Sequence, residues 1–106
     1  MERIAILIGS SPTSAAARRA VALAASLADS GHPVTVALVE DGVLAAVAGS
    51  PVALPAGRFE SVLALEDDLA LRGVAGAPLV PGCRPCTYGD LVDLMMAQVD
   101  RTLGVF

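Results

Sequence analysis

The sequence predicts an α/β domain built on a mainly parallel sheet of about five strands. Short aliphatic runs alternate with stretches of helical pattern, and repeated strand-helix units pack as parallel strands joined by right-handed crossovers. The run at residues 34–39 (VTVALV) is nearly unbroken, as a strand buried on both faces must be. Glycine, proline or clustered acids punctuate the junctions between segments. Length adds a bound, since 106 residues make one domain spanning 1–106 and leave no room for a second core.

Taken in order, residues 3–8 (RIAILI) form the first strand, GSSPTS a turn, and the alanine-rich stretch to Asp29 a helix. Ala16, Ala20, Leu23 and Leu27 share one helix face, with Arg18, Ser26 and Asp29 on another. Ser11 or Thr13 is the expected cap at its start. Gly31 marks its end, and Pro33 pushes the chain into extended structure. VTVALV follows as the second strand, internal to the sheet and parallel to the first. Glu40, Asp41 and Gly42 stop it and lead into a helix start. Ligands gather beyond the carboxyl ends of parallel strands, so this turn is a candidate place for a site. Residues 49–58 (GSPVALPAGR) read as a loop.

Residues 61–65 (SVLAL) are the third strand. Glu66, Asp67 and Asp68 then suit the N-terminus of a short helix running to Gly73, because carboxylates favour the positive end of the helix dipole. Paired-carboxylate catalysis is the lesser reading, since it needs surroundings that push two pKa values apart. AGAPLVPG is a loop. CRPCTY is a brief fourth strand that Pro85 confines to a sheet edge. Asp90 caps a last helix, LVDLMMAQV, with Asp93 at the third position of a capping-box pattern. Leu91, Leu94 and Met95 form its core face, and Val92, Met96 and Val99 a second apolar face. The chain closes on RTLGVF, a fifth strand or an apolar tail.

Hydrophobic residues are 55% of the chain and charged residues 17%, which excludes disorder and implies association through apolar surface. Val92, Met96 and Val99 are one candidate contact; Val43, Leu44 and Val47 are another. Mean hydropathy is +0.68, yet no apolar run approaches the roughly 18 residues of a membrane span. MERIAILIGSS reads as strand, turn and helix rather than a signal peptide, so the expected location is the cytoplasm. A net charge of −4 with no basic cluster makes direct nucleic-acid binding improbable. Two cysteines in a reducing compartment are expected as free thiols.

The segments EDGVLAAVAGS, VLALEDDLALRGV and YGDLVDLMM stand in this order and at these spacings. Together they resemble the DsrE/DsrF/DsrH superfamily of sulfur-relay proteins, and most closely its DsrH (TusB) branch, where "DGVYAA", "LEEDLAARG" and "DLVDL" occupy corresponding places. The resemblance covers residue 34 to the C-terminus; the first helix and GHPVTV look more like the DsrE branch. It implies a three-layer α/β/α protein, handling persulfide sulfur inside a ring or hexamer of related DsrE- and DsrF-type subunits or of itself. Protein donors and acceptors of sulfur are the implied partners, and sulfur oxidation or tRNA thiolation the implied settings. DsrE-type chemistry uses a cysteine at the end of the third strand, seven residues before the arginine of an RG pair. Here that position is Leu65. The role does not carry over, in keeping with DsrH-type subunits that help assemble the ring.

Cys83 and Cys86 lie on another segment, where DsrH-like chains carry valines or acids. As a dithiol, Cys83-Arg84-Pro85-Cys86 looks like the CxPC of thioredoxin-type proteins, with Cys86 the sulfur carrier and Cys83 the resolving thiol. That reading expects a thiolate at Cys86 favoured by the amides of the last helix around residues 89–92, and hence fast alkylation. As half of a metal site the pair lacks further ligands, His32 being the lone histidine. As buried thiols they are inert. All three readings stay open, and with them two functions: a sulfur carrier resembling a sulfurtransferase without a classical active site, or a non-catalytic subunit. No cofactor and no metal is expected. Ser10, Ser11 and Thr13 offer a weak anion site at a helix N-terminus, without the lysine or glycine spacing of a P-loop. His32 is expected as an exposed turn residue. Tyr88 is expected as a half-buried packing residue, or else as a hydrogen-bond donor to a thiolate.

Overall fold

The computed structural model describes residues 1–50 and 54–106. The aliphatic runs form strands β1 (Ile4–Ile8), β2 (Val34–Leu38) and β3 (Ser61–Leu65), joined by β4 (Cys83–Cys86) and β5 (Arg101–Val105) in one parallel sheet of order β4-β3-β2-β1-β5. β2 is internal and buried along its whole length, as VTVALV requires. β4 lies at one edge, where the missing N–H of Pro85 leaves no ladder bond unmade. β5 is the other edge, so RTLGVF is a strand.

Helix α1 (Ala15–Asp29) is capped by Ser14, whose Oγ accepts from the Ala17 N–H at 3.1 Å and donates to the Ser11 carbonyl at 2.7 Å. Ser11 and Thr13, the expected caps, instead share a hydrogen bond of 3.2 Å. The helix turns Ala17, Ala20 and Ala24 onto the sheet, with Val21, Leu27 and Ala28 beside them. The predicted stripe is thus rotated: Ala16 is half-buried and Leu23 is 44% exposed. The line of least volume faces inward because it lets the helix axis approach the strands. Gly31 follows the Ser30 cap at φ +96°, a conformation glycine adopts without strain. His32 is half-buried, with Nδ1 3.3 Å from the Glu2 carbonyl, rather than an exposed turn residue.

After β2 the chain makes a 3₁₀ helix, Glu40–Ala46, in which Gly42 lies so close to β1 that a Cβ would run into the Ile8 carbonyl oxygen. Val43, expected in a surface patch, is fully buried in the chain's own core, while Leu44 and Val47 are half-buried. Val47 bridges to Leu79, so the loop after α2 is tied down. Of the predicted loop 49–58, residues 51–53 lie outside the described residues, and Ala56–Arg58 form a short 3₁₀ turn where no element was expected.

Helix α2 (Glu66–Leu71) starts directly on β3. Helix α3 (Tyr88–Asp93) begins three residues earlier than predicted. Thr87 is its cap, and Thr87 and Asp90 complete the reciprocal capping box assigned from sequence to Asp90 and Asp93. The expectation failed because Tyr88 and Gly89 are poor helix formers that hid the first turn. α3 continues as a π-helical turn, Leu94–Gln98. Leu91 and Leu94 are buried and Met95 half-buried, the predicted core face. Three layers result. α1, α2 and both 3₁₀ segments cover one face of the sheet, and α3 with its π-turn the other.

Candidate functional site

The carboxyl ends of β2, β3 and β4 hold the groups that could do chemistry. β4 places Cys83 at its start and Cys86 at its end. Residues three apart on a strand face opposite ways, so Cys83 packs under the first face and Cys86 belongs to the core beneath α3. Along an extended strand their Cα atoms stand about 10 Å apart, beyond disulfide reach. Both are free thiols. The dithiol therefore cannot close while β4 stays in the sheet.

Register carries the main geometric result. Leu65 pairs with Cys86 across β3 and β4, so the thiol sits one strand over from the position where the resemblance expects a DsrE-type cysteine. Leu65 itself is 2% exposed. Cys86 is only 3% exposed, and burial pushes its thiol from 9.0 up to about 11, with the Asp90 and Glu66 carboxylates adding to the rise and Arg84 opposing it. Burial alone lifts Cys83, which is half-buried, to about 11. The expected lowering by the amides of α3 is thus reversed. At pH 7 a thiol of that pKa is thiolate about one part in ten thousand. Beside Cys86 opens a polar cleft of about 240 Å³, lined also by Arg84, Asp90, Asp93 and Gln98. The π-turn contributes Leu94 and Gln98 to its wall, and such widened turns recur at functional sites. Tyr88 points into water and does not take the half-buried role.

A second group was not foreseen. Asp68 is only 7% exposed; its Oδ2 accepts from the Glu40 N–H at 2.7 Å and its Oδ1 lies 3.4 Å from Arg72. Arg72 also binds Asp41 at 2.9 Å. Glu40 is held at φ +50°, a left-handed conformation that favours glycine, and the Asp68 carboxylate fixes its amide there. Glu66 and Asp67 are exposed and serve the helix N-terminus. The network therefore ties the EDG turn to the EDDLALRG helix. Its one legible signal was the i,i+4 spacing of Asp68 and Arg72.

Of the predicted anion-site residues, Ser11 and Thr13 are engaged with each other, and Ser10 stands apart with its Oγ buried. Among the described residues no group of three or more His, Cys, Asp or Glu could hold a metal ion. Nor is any described helix long and apolar enough to cross a membrane.

Comparison with known proteins sets this geometry in context. The sequence model of the DsrH like protein family matches residues 12–100. That span includes α1, which the motifs had placed nearer the DsrE branch. A protein named TusB from Sodalis glossinidius (strain morsitans) is 39% identical over 77 residues, covering 72% of this chain and 80% of the relative. The crystal structure of the ychN protein from E. coli superposes with a TM-score of 0.84 at 21% identity, over 98% of this chain and 99% of that one. At that identity the likeness shows the fold, the three-layer parallel architecture described above.

Proposed function

This chain belongs to the DsrH family of sulfur-relay proteins, and from that membership we propose that it serves sulfur relay as an assembly subunit among related chains. The observation that supports the proposal is that Leu65, at the position the resemblance assigns to the DsrE-type cysteine, is a buried aliphatic residue, and that the neighbouring Cys86 is buried with its thiol pushed up to about 11. Exposed apolar residues on α3 and its π-turn, Val92 and Met96 foremost, supply a surface for DsrE- or DsrF-type subunits. Val99 is half-buried against the chain's own core and contributes less. Of the two settings, tRNA thiolation is favoured by the TusB relative. The site of action we propose is the cytoplasm.

The register of Leu65 with Cys86 favours a second reading, in which Cys86 carries sulfur once assembly uncovers it. The Cys86 thiolate would attack the outer sulfur of a donor persulfide, breaking its S–S bond. Cys86 would become the persulfide, and the donor thiolate would leave and take up the proton. Cys83, on the opposite face, could resolve it only after β4 leaves the sheet.

Intact-mass measurement after incubation with a persulfide donor separates the two readings when run on the isolated chain and on the chain co-purified with DsrE- and DsrF-type partners. The assembly reading expects a stable complex and no added sulfur on this chain in either sample. Sulfur added at Cys86 in the complex, and lost in Cys86→Ser, would move the chain to the carrier class. Failure to associate with any such partner would remove the first proposal.

A further inference from the structure

We propose that the cavity between the start of α1 and the carboxyl ends of β1 and β2 binds a small amphiphilic carboxylate. It is a partly open cleft with a volume of about 230 Å³. Ile8, Leu38, Val21 and Leu54 make its walls aliphatic, and Ala45 leaves it room. Only two side chains offer hydrogen-bond donors to it. Ser10 Oγ is buried there with no hydrogen-bond partner among the described residues, an uncommon state for a hydroxyl in a native interior. Arg18 is the other donor. It makes no ion pair among the described residues, and its Nη1 donates to the Thr13 carbonyl at 3.2 Å, leaving other guanidinium N–H groups free for an anion.

The remaining hydroxyls of the GSSPTS turn are already committed: Ser14 to Ala17, and Ser11 and Thr13 to each other. One guanidinium and one hydroxyl suit a monoanion, whereas a phosphate dianion would call for more donors. An engineered cavity of about 150 Å³ admits benzene, so this one takes an aliphatic chain of about six to eight carbons. Octanoate is the probe of that class. The site lies on the face of the sheet away from Cys86 and does not depend on the sulfur-relay reading.

Amide chemical shifts of the full chain, titrated with octanoate, 1-octanol and acetate, test this. Octanoate should shift the amides of Ile8, Ser10 and Ala17 saturably, and acetate should not. Octanol should bind at least about tenfold more weakly for want of the charge-assisted bond to Arg18. Arg18→Gln, at an exposed position, should abolish the preference for acid over alcohol, and Val21→Phe should fill the cavity and abolish binding. Equal affinity for octanoate and octanol, an unchanged preference in Arg18→Gln, undiminished binding in a folded Val21→Phe, or no saturable shift at millimolar octanoate would each overturn the proposal. Should Val21→Phe fail to fold, Arg18→Gln alone decides.

Discussion

The face of the sheet beneath α1 is covered by four segments, α1, α2 and two 3₁₀ turns, whereas the opposite face is covered by α3 and its π-turn alone. On the first face the charged groups beside the strand ends are tied together through Asp68, and alanines bring the helix close. On the second, Met96 is 82% exposed and Val92 half out in water. The cause is topological. β1, β2, β3 and β4 step in one direction across the sheet, so right-handed connections lay their covering segments on one face. The step back from β4 to β5 on the far side of β1 reverses direction, and the same handedness puts α3 on the other face. Alternation along the strands loads both faces with aliphatics; only the connections decide how well each is covered. The uncovered remainder is where a partner has most to bury.

Deleting matched volume on each face would break or sharpen this contrast with the largest effect. Ile6→Ala on the fully covered face should cost about 2–5 kcal/mol, and Leu94→Ala beneath the single helix should fall at the low end of that range because the site can relax. Urea midpoints measure both. Equal losses would show the second face to be as tightly built as the first.

Next in size is the carboxylate that locks the EDG turn. Asp68→Ala leaves the Glu40 N–H without its acceptor and removes one of the two carboxylates that Arg72 binds, and should cost about 1–3 kcal/mol. Asp67→Ala, one residue away and exposed, should stay within about 0.5 kcal/mol. If thermal unfolding finds the two alike, the network stabilises nothing.

On the second face Thr87→Ala removes one half of the capping box and should cost about 1 kcal/mol. Helical signal lost on heating would show whether α3 melts ahead of the sheet, as a thinly covered element should.

The thiols make no pH-dependent contribution at neutrality. At pH 7 both cysteines are protonated whether the chain is folded or not. As pH rises from 9.0 through about 11 the unfolded chain releases protons that the folded chain retains, so stability falls over that window. A variant carrying Cys83→Ala and Cys86→Ala should show a flatter decline in its unfolding midpoint there. Alkylation of Cys86 by iodoacetamide at pH 7 should be slower than that of a free thiol. Fast reaction would mean that the face opens in solution and exposes the sulfur.

The smallest expected effect on stability is that of Met96→Ser, within about 0.5 kcal/mol, since the side chain is in water. Light scattering of a mixture with DsrE- and DsrF-type chains should nonetheless show weaker assembly. Unaltered assembly would shift the interface away from α3.

Three of the strands, the parallel sheet and the end of α1 at Gly31 were legible in the residues, because unbroken aliphatic runs and a glycine after a helix have local causes. The edge position of β4 followed from Pro85 alone. The start of α3 was missed although Thr87 and Asp90 spell a capping box, since two weak helix formers stood between them. Which face of α1 turns inward was misjudged, because the choice between a leucine stripe and an alanine stripe depends on how near the sheet lies. The candidate site was half legible. Cysteines three apart on a strand must face opposite ways, and that needs no more than the pleat. That Cys86 stands beside Leu65, that burial and two carboxylates hold it protonated, and that Asp68 reaches across to Glu40 are consequences of register. Register is set by the packing of whole strands against one another, over distances along the chain that no local pattern spans.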